Sequence, residues 1–287
     1  MTGVQTCALP IWLDDHVNLE TGVGVPSGVD RRRSAPTLAR IEALSALLGS
    51  PQLEFPAIHL TGTNGKTSTA RILTALLVAE GLSVGTYSSP HLQSVCERIS
   101  LDGTSITEDR LAELITRIAT IEPFLDDRPS YFEVLTAAAL DLFAEVAVDV
   151  AVVEVGLGGT WDATSLVQAP VAVVTNVGLD HTECLGPDRG SIAREKAGIV
   201  EEGATLVLGE RDPDLVPIFT ARGPGRTLLA GRDFSVLADR LAVGGRVVDI
   251  ATPSATLREV FLALHGPHQA ENAATALVAA EAFLGRP

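Results

Sequence analysis

Residues Gly62-Thr63-Asn64-Gly65-Lys66-Thr67-Ser68 combine the parts of a phosphate-binding loop. Small side chains let backbone N–H groups turn toward an anion at a helix N-terminus. Lys66 supplies a mobile positive charge for outer phosphates, and Thr67 offers a hydroxyl to Mg²⁺. The general pattern G-x-x-x-x-G-K-[ST] needs glycine at position 60, where this chain has Leu60, so the loop is a shortened variant. Its setting supports the assignment: an apolar strand precedes it and an amphipathic helix follows.

Three further constellations carry chemistry. In Glu154-Val155-Gly156-Leu157-Gly158-Gly159-Thr160-Trp161-Asp162-Ala163-Thr164, a carboxylate ends an apolar run. A carboxylate there is costly unless it is paired or binds metal. Open α/β sheets bind ligands beyond the carboxyl ends of their strands, which is where Glu154 falls. Gly156, Gly158 and Gly159 would let backbone pass close to a ligand, although their spacing does not complete a dinucleotide fingerprint. Thr175-Asn176-Val177-Gly178-Leu179-Asp180-His181 also follows an apolar run. His181 could ligate Mg²⁺ or orient a phosphate, but a hard cation prefers oxygen, and a lone loop histidine is as often structural. In Ala193-Arg194-Glu195-Lys196-Ala197-Gly198-Ile199, spacing alone leaves Lys196 as an ordinary solvated helix lysine.

The surrounding periodicities say what holds these groups. Leu38, Ile41, Leu44, Leu47 and Leu48 recur at helical spacing between Ser34 and Gly49, with Pro36 suited to a first turn. Strand Ala57 to Leu60 leads into the Gly62 loop, and Ile72, Leu73, Leu76 and Leu77 define the helix after it. Leu82 to Tyr87 reads as a strand, Thr107 as the cap of a helix carrying Leu111, Leu114, Ile115 and Ile118, and Tyr131 to Glu145 as a long helix. The near-continuous apolar runs Val148 to Val155 and Val171 to Val177 suit strands buried on both faces. A helix from Ser191 to Gly198, a strand from Thr205 to Leu208 and a last helix from Gln269 to Leu284 complete the alternation. The pattern predicts a doubly wound, mostly parallel α/β sheet, with a small β excursion near 211–256.

Bulk properties narrow the partners. The 287 residues carry a net charge of −15, which argues against nucleic acid. No apolar run approaches the roughly 20 residues that span a bilayer, so no membrane partner is expected. Cys7, Cys96 and Cys184 form no disulfide framework, and a reducing cytoplasm is the default. Residues 1–11 lack a basic n-region and read like the translation of a sequencing adapter rather than a signal peptide. They are set aside as having no fold.

The ordered set Gly62-Thr63-Asn64-Gly65-Lys66, Ser89-Pro90-His91-Leu92, Glu97-Arg98-Ile99, Tyr131-Phe132-Glu133, Glu154 to Thr164, Gly178-Leu179-Asp180-His181, Glu195-Lys196-Ala197-Gly198-Ile199 and His268-Gln269-x-x-Asn272-Ala273 resembles folylpolyglutamate synthase/dihydrofolate synthase, of the Mur ligase superfamily. The likeness spans residues 12–287. It implies a Mur-ligase-like ATP-binding domain and an ATP-dependent ligase that adds L-glutamate to dihydropteroate or a folate through an acyl phosphate. ATP and two Mg²⁺ ions are the implied cofactors, and a monomer is expected. By resemblance, Ser89 and Glu154 hold one Mg²⁺, and Glu154 and His181 a second. Lys196 matches a lysine that becomes carbamylated, and Asn272 a contact to the base or ribose. Lys66, His181 and Lys196 are therefore the expected catalytic set.

Two departures stand out. The family commonly has Gly where Thr67 stands, and Asn where Ser165 stands, which puts the local hydrogen bonds of Ser165 in question. The family also carries a further C-terminal α/β domain for glutamate ligation that this chain is expected to lack. Three rivals remain: a Mur-type peptide ligase, a P-loop switch without ligase chemistry, and an inactive ATP-binding fragment. Ser89-Pro90-His91 and Tyr131-Phe132-Glu133 speak against the first. The joint presence of Glu154, His181 and Lys196 speaks against the second.

Overall fold

Apolar runs become the central strands, and amphipathic runs become helices laid over them. The structure is a computed structural model that describes residues 8–18 and 38–285. Helices α1 (Ala8–Asp14) and α2 (Ala39–Leu47) precede β1 (Ala57–Thr61), α3 (Lys66–Ala79) and β2 (Val84–Tyr87). A hairpin follows, β3 (Ile99–Leu101) and β4 (Thr104–Ser105), then α4 (Glu108–Ile121), α5 (Tyr131–Glu145), β5 (Val150–Glu154) and β6 (Val171–Val174). Next come α6 (Thr182–Leu185), α7 (Arg189–Lys196), β7 (Thr205–Leu208), α8 (Val216–Thr220) and β8 (Arg226–Leu229). The chain continues with β9 (Ser235–Ala242), β10 (Gly245–Ala251), β11 (Thr256–Leu262) and α9 (His268–Leu284).

Among the described residues, eight strands form one sheet in the order β4-β3-β2-β5-β1-β6-β7-β8. The pairings from β2 through β8 are parallel, and β3 and β4 add an antiparallel edge. The predicted doubly wound, mostly parallel sheet is the observed fold. Every residue of β1, β5 and β6 is buried, as expected for strands covered on both faces.

Alternation along the strands sorts side chains between the two faces. Ile58 and Leu60 of β1, Val150 and Val152 of β5, and Val171 and Val173 of β6 pack beneath α3 and α9. On the opposite face, Ala151 and Val153 meet α5, while Ala172 and Val174 meet the α7–α8 layer. Helix α5 is set by a capping box: the Ser130 hydroxyl accepts from Glu133 N–H, and the Glu133 carboxylate accepts from Ser130 N–H. Thr107 caps α4 through the Arg110 N–H, as its sequence suggested.

Several boundaries differ from the sequence reading. The hairpin β3–β4 was not foreseen. The excursion near 211–256 divides: β8 joins the main sheet, whereas β9, β10 and β11 form a separate three-stranded antiparallel sheet reaching Leu262. That sheet lays Val248 and Ile250 against the α9 side of the core. Residues 34–37, including Pro36, and residues 1–7 lie outside the described residues. Ala8 to Ile11, set aside from the fold, form the first turn of α1. What anchors that helix comes later: Leu13 is buried, and the His16 ring contacts Trp12 O (2.9 Å) and the Glu122 carboxylate (2.7 Å).

Candidate functional site

Strand β1 delivers Gly62 to the carboxyl edge of the sheet, where two neighbours shape the loop. Gly62 has φ +154°, and a Cβ there would lie 1.9 Å from Thr175 Oγ1. Gly65 has φ +84°, and its Cβ would lie 2.4 Å from Asn272 Oδ1. Only glycine meets both demands at either position. The loop is stitched to the segment after β6. Thr63 N–H donates to Asn176 O (3.0 Å), Asn64 N–H to Asn176 Oδ1 (3.0 Å), and Gly178 N–H to Thr63 Oγ1 (2.9 Å). The Thr175 hydroxyl (2.7 Å) and the Asn176 amide (2.9 Å) both donate to Asn64 O. Gly65 N-caps α3 without a side-chain cap, and the amides of such a first turn can cradle an anion.

Two lysines converge there. Lys66 Nζ donates to Gly62 O at 3.0 Å, and Lys196 Nζ donates to the same carbonyl at 2.9 Å. Lys196 is 5% exposed, so the solvated-surface reading of this residue fails. Burial pushes its pKa down to about 8, and the neighbouring Lys66 charge adds to the fall. Two ammonium groups at one carbonyl make the cleft strongly attractive to anions.

Glycine packing explains how a helix lysine reaches this cleft. A Cβ on Gly159 would meet Glu195 O at 2.7 Å, and one on Gly198 would meet the Thr160 backbone N at 2.5 Å. Thr160 N–H also donates to Glu195 Oε1 (2.9 Å). The loop after β5 therefore presses directly on the end of α7. Gly156 packs similarly, with its would-be Cβ 2.5 Å from Phe132 Cζ. The glycines read as allowing close ligand approach also dock the loop on α5 and α7, and Gly156 and Gly158 line the cleft. The Ser165 hydroxyl, in question from sequence, donates to Gly159 O.

Glu154 is 1% exposed at the end of β5. Thr67 Oγ1 donates to its carboxylate at 3.0 Å from each oxygen. Burial pushes the Glu154 pKa up to about 7, against the opposing Lys66 charge, the Thr67 hydrogen bond and the Ser89 N–H. Ser89 is buried in the loop after β2, preceding a cis proline, Pro90. Glu97 fastens that loop, accepting N–H bonds from Leu92 (3.0 Å), Gln93 (2.9 Å) and Ser94 (2.8 Å), which hold its carboxyl below the usual range. Arg98 Nε donates to His91 Nδ1 (2.9 Å) and its guanidinium lies 5.6 Å from the Tyr131 ring centre. The sequence motifs around Glu97 and Tyr131 thus form the frame of the Ser89 loop.

His181 N-caps α6 with φ +47° and a half-exposed side chain. It lines a small cleft with Gly62, Lys66, Gly156, Gly158, Asp180 and Lys196. Its nearest acids are Asp180 (3.7 Å) and Glu183 (3.9 Å). Glu154 and His181 stand on either side of the phosphate loop, and among the described residues no three His, Cys, Asp or Glu side chains cluster. Strand order gives the reason for their placement, because β1 separates β5 from β6. Asn272 on α9 touches the loop at Gly65 and donates to Gln269 Oε1 (3.0 Å), while Gln269 reaches Ser68 Oγ (3.4 Å). A roomier groove of about 460 Å³ lies between β9 and the start of α9, and none of the expected phosphate or metal groups lines it. The sequence reading missed the role of Thr175 and Asn176 as loop scaffold and the line His59–Thr164–Asp162. A histidine inside the buried strand β1 was the available signal.

The Mur ligase middle domain family matches residues 60–280. The dihydrofolate synthase/folylpolyglutamate synthase of Mycobacterium tuberculosis is 42% identical over 273 residues, covering 88% of this chain and 56% of that protein. The Bacillus subtilis protein of the same name is 34% identical, covering 86% of this chain and 59% of its own length. The chain thus spans little more than half the length of these relatives. Among solved structures, Mycobacterium tuberculosis folylpolyglutamate synthase complexed with ADP superposes with a TM-score of 0.87 at 39% identity, covering 98% of this chain and 62% of that one. An FPGS–AMPPCP–folate complex gives a TM-score of 0.88 at 31% identity, covering 99% and 69%. With the match running from the phosphate loop into α9, this chain belongs to the Mur ligase middle-domain family.

Proposed function

We propose that residues 12–287 form the ATP-binding domain of a cytoplasmic ligase that adds L-glutamate to dihydropteroate or a folate. The observation that carries this reading is the convergence of Lys66 and Lys196 on Gly62 O beside a buried carboxylate tethered to the loop by Thr67. The amides from Gly62 to Ser68 and the start of α3 bind the polyphosphate, and Lys66 balances its outer charge. By resemblance, Asn272, which lies against Gly65, contacts the base or ribose. The relatives add direction, because their names specify folate chemistry and their structures hold ADP or AMPPCP.

Mg²⁺ fits the donors present: the Glu154 carboxylate with the Thr67 and Ser89 hydroxyls is an oxygen set of the kind a hard cation prefers. His181, on the far bank, would join a second ion. When bound, the metal would neutralise charge on the transferring phosphoryl group. The protein's own contribution is to hold reactants in line and exclude water around Lys196. By resemblance, Lys196 takes up carbon dioxide as a carbamate. An amine held near pKa 8 by burial keeps more neutral nucleophile at neutral pH than an ordinary lysine.

The test is incubation with Mg·ATP, L-glutamate and either dihydropteroate or tetrahydrofolate, measuring phosphate release and glutamylated product alongside ATP affinity. ATP binding with acceptor-dependent phosphate release supports the reading. Absence of Mg·ATP binding overturns it. Binding without product favours the inactive-fragment reading.

A further inference from the structure

We propose that Asp162, Thr164 and His59 form a buried clamp that positions the Gly156–Leu157 wall of the phosphate cleft and, through it, Lys196. Asp162 is 4% exposed, yet its partners are amides and a hydroxyl rather than a basic side chain. One oxygen accepts Thr164 N–H (3.0 Å) and the Thr164 hydroxyl (2.5 Å). The other accepts Leu157 N–H (2.9 Å), and Gly156 N–H donates to the same carboxylate. With its proton committed to Asp162, Thr164 Oγ1 can only accept from His59 Nε2 (2.9 Å), which assigns the Nε2–H tautomer to that ring. His59 sits 2% exposed on β1, the strand that carries the phosphate loop. The line therefore ties the floor of the loop to the opposite wall of the same cleft.

A buried carboxylate is a costly way to fill space. Apolar packing would serve a purely structural turn. What a carboxylate does here is draw two consecutive amides inward, so that Gly156 and Leu157 turn their N–H groups away from the cleft. The segment beyond is fixed in consequence. Thr61 Oγ1 donates to Gly158 O (2.9 Å), and Gly159 seats on the carbonyls of Glu195 and Lys196. Loosening the clamp lets this wall retreat and withdraws the support that holds Lys196 Nζ at Gly62 O. Asp162, Thr164 and His59 are thus positioning residues, since each acts through the loop.

The test uses the full 287-residue chain and two lesions. Asp162→Asn keeps the shape, but an amide can serve only one side of the clamp. Thr164→Val removes the hydroxyl, and Thr164→Ser restores it. The first readout is hydrogen exchange at the Gly156 and Leu157 amides, with β7 amides as internal control. Exchange at those two positions should rise roughly tenfold in Asp162→Asn and Thr164→Val, and return in Thr164→Ser. The second readout, which rests on the nucleotide reading above, is Mg·ATP affinity. It should fall about tenfold in both variants, the equilibrium equivalent of losing about one ordinary hydrogen bond, and recover with serine. Unchanged exchange at Gly156 and Leu157, or an affinity loss that follows melting temperature without serine rescue, overturns the clamp. A wild type that binds no Mg·ATP counts against the nucleotide reading, while amide exchange still decides the clamp.

Discussion

His59 makes the fold acid-sensitive in a way that can be calculated. The ring is fully enclosed, and burial pushes its pKa from 6.5 down to about 3. Below 6.5 the unfolded chain binds a proton that the folded chain refuses, so stability is complete above that value and drains as pH falls toward 3. Between about pH 8 and about pH 5 the linkage relation assigns His59 a loss of about 2 kcal/mol, a large share of a marginal folding free energy. The perturbation is His59→Gln, which keeps an N–H donor for Thr164 but cannot titrate. Urea unfolding of both chains at the two pH values gives the comparison. The variant should be less stable than wild type at the higher pH, yet lose about 2 kcal/mol less on acidification. Other titrating groups are common to both chains and cancel. Equal losses in the two chains would refute the reasoning, because they would mean that His59 is protonated in the folded state or absent from the acid response.

The site makes sharper demands. Lys66→Ala should abolish tight ATP binding by calorimetry, and an unaltered affinity would remove Lys66 from the phosphate site. Glu154→Gln should erase the gain in ATP affinity produced by Mg²⁺ while leaving metal-free binding nearly unchanged; a wild-type response to Mg²⁺ would exclude Glu154 as a ligand. Gly198→Ala places a Cβ 2.4 Å from Thr160 Cα, so the melt should fall by the equivalent of about 1–3 kcal/mol, and an unchanged melt would contradict the close packing of Thr160 on the end of α7. Lys196→Ala should lose phosphate release and regain part of it with short carboxylic acids, while wild type should shed the mass of carbon dioxide on acidification; neither effect would be seen if the amine stays free.

Much of this fold was legible because its signals are local. Helix α5 matches its sequence limits from Tyr131 to Glu145, and β7 its own from Thr205 to Leu208. The hairpin β3–β4 escaped because strands of three and two residues show no alternation, although Asp102-Gly103 carries a turn signal borne out by φ values of +51° and +78°. The edge strand β8 escaped because partly exposed residues there blur into the excursion beyond it. Within the site, Lys66 and Thr67 were readable from one loop. Lys196 was singled out only by the resemblance and not by spacing, since its burial depends on Gly159 meeting Glu195 and Gly198 meeting Thr160 across long stretches of chain. Likewise the placement of Glu154 and His181 on either side of the loop follows from β1 running between their strands, an order that spacing does not encode.

The stitching of Asn64 to Thr175 and Asn176 bears on how the protein acquires its binding site. The partners that shape the loop are more than a hundred residues downstream. A ribosome that has released only β1 and α3 has produced the recognition sequence without the means to hold its curve. Nucleotide affinity should therefore emerge late, when β6 docks beside β1, and grafting Gly62 to Ser68 alone onto another sheet should transfer the letters without the grip. In this chain the loop is a property of two strands, and its occupancy by nucleotide would report that the centre of the sheet has closed.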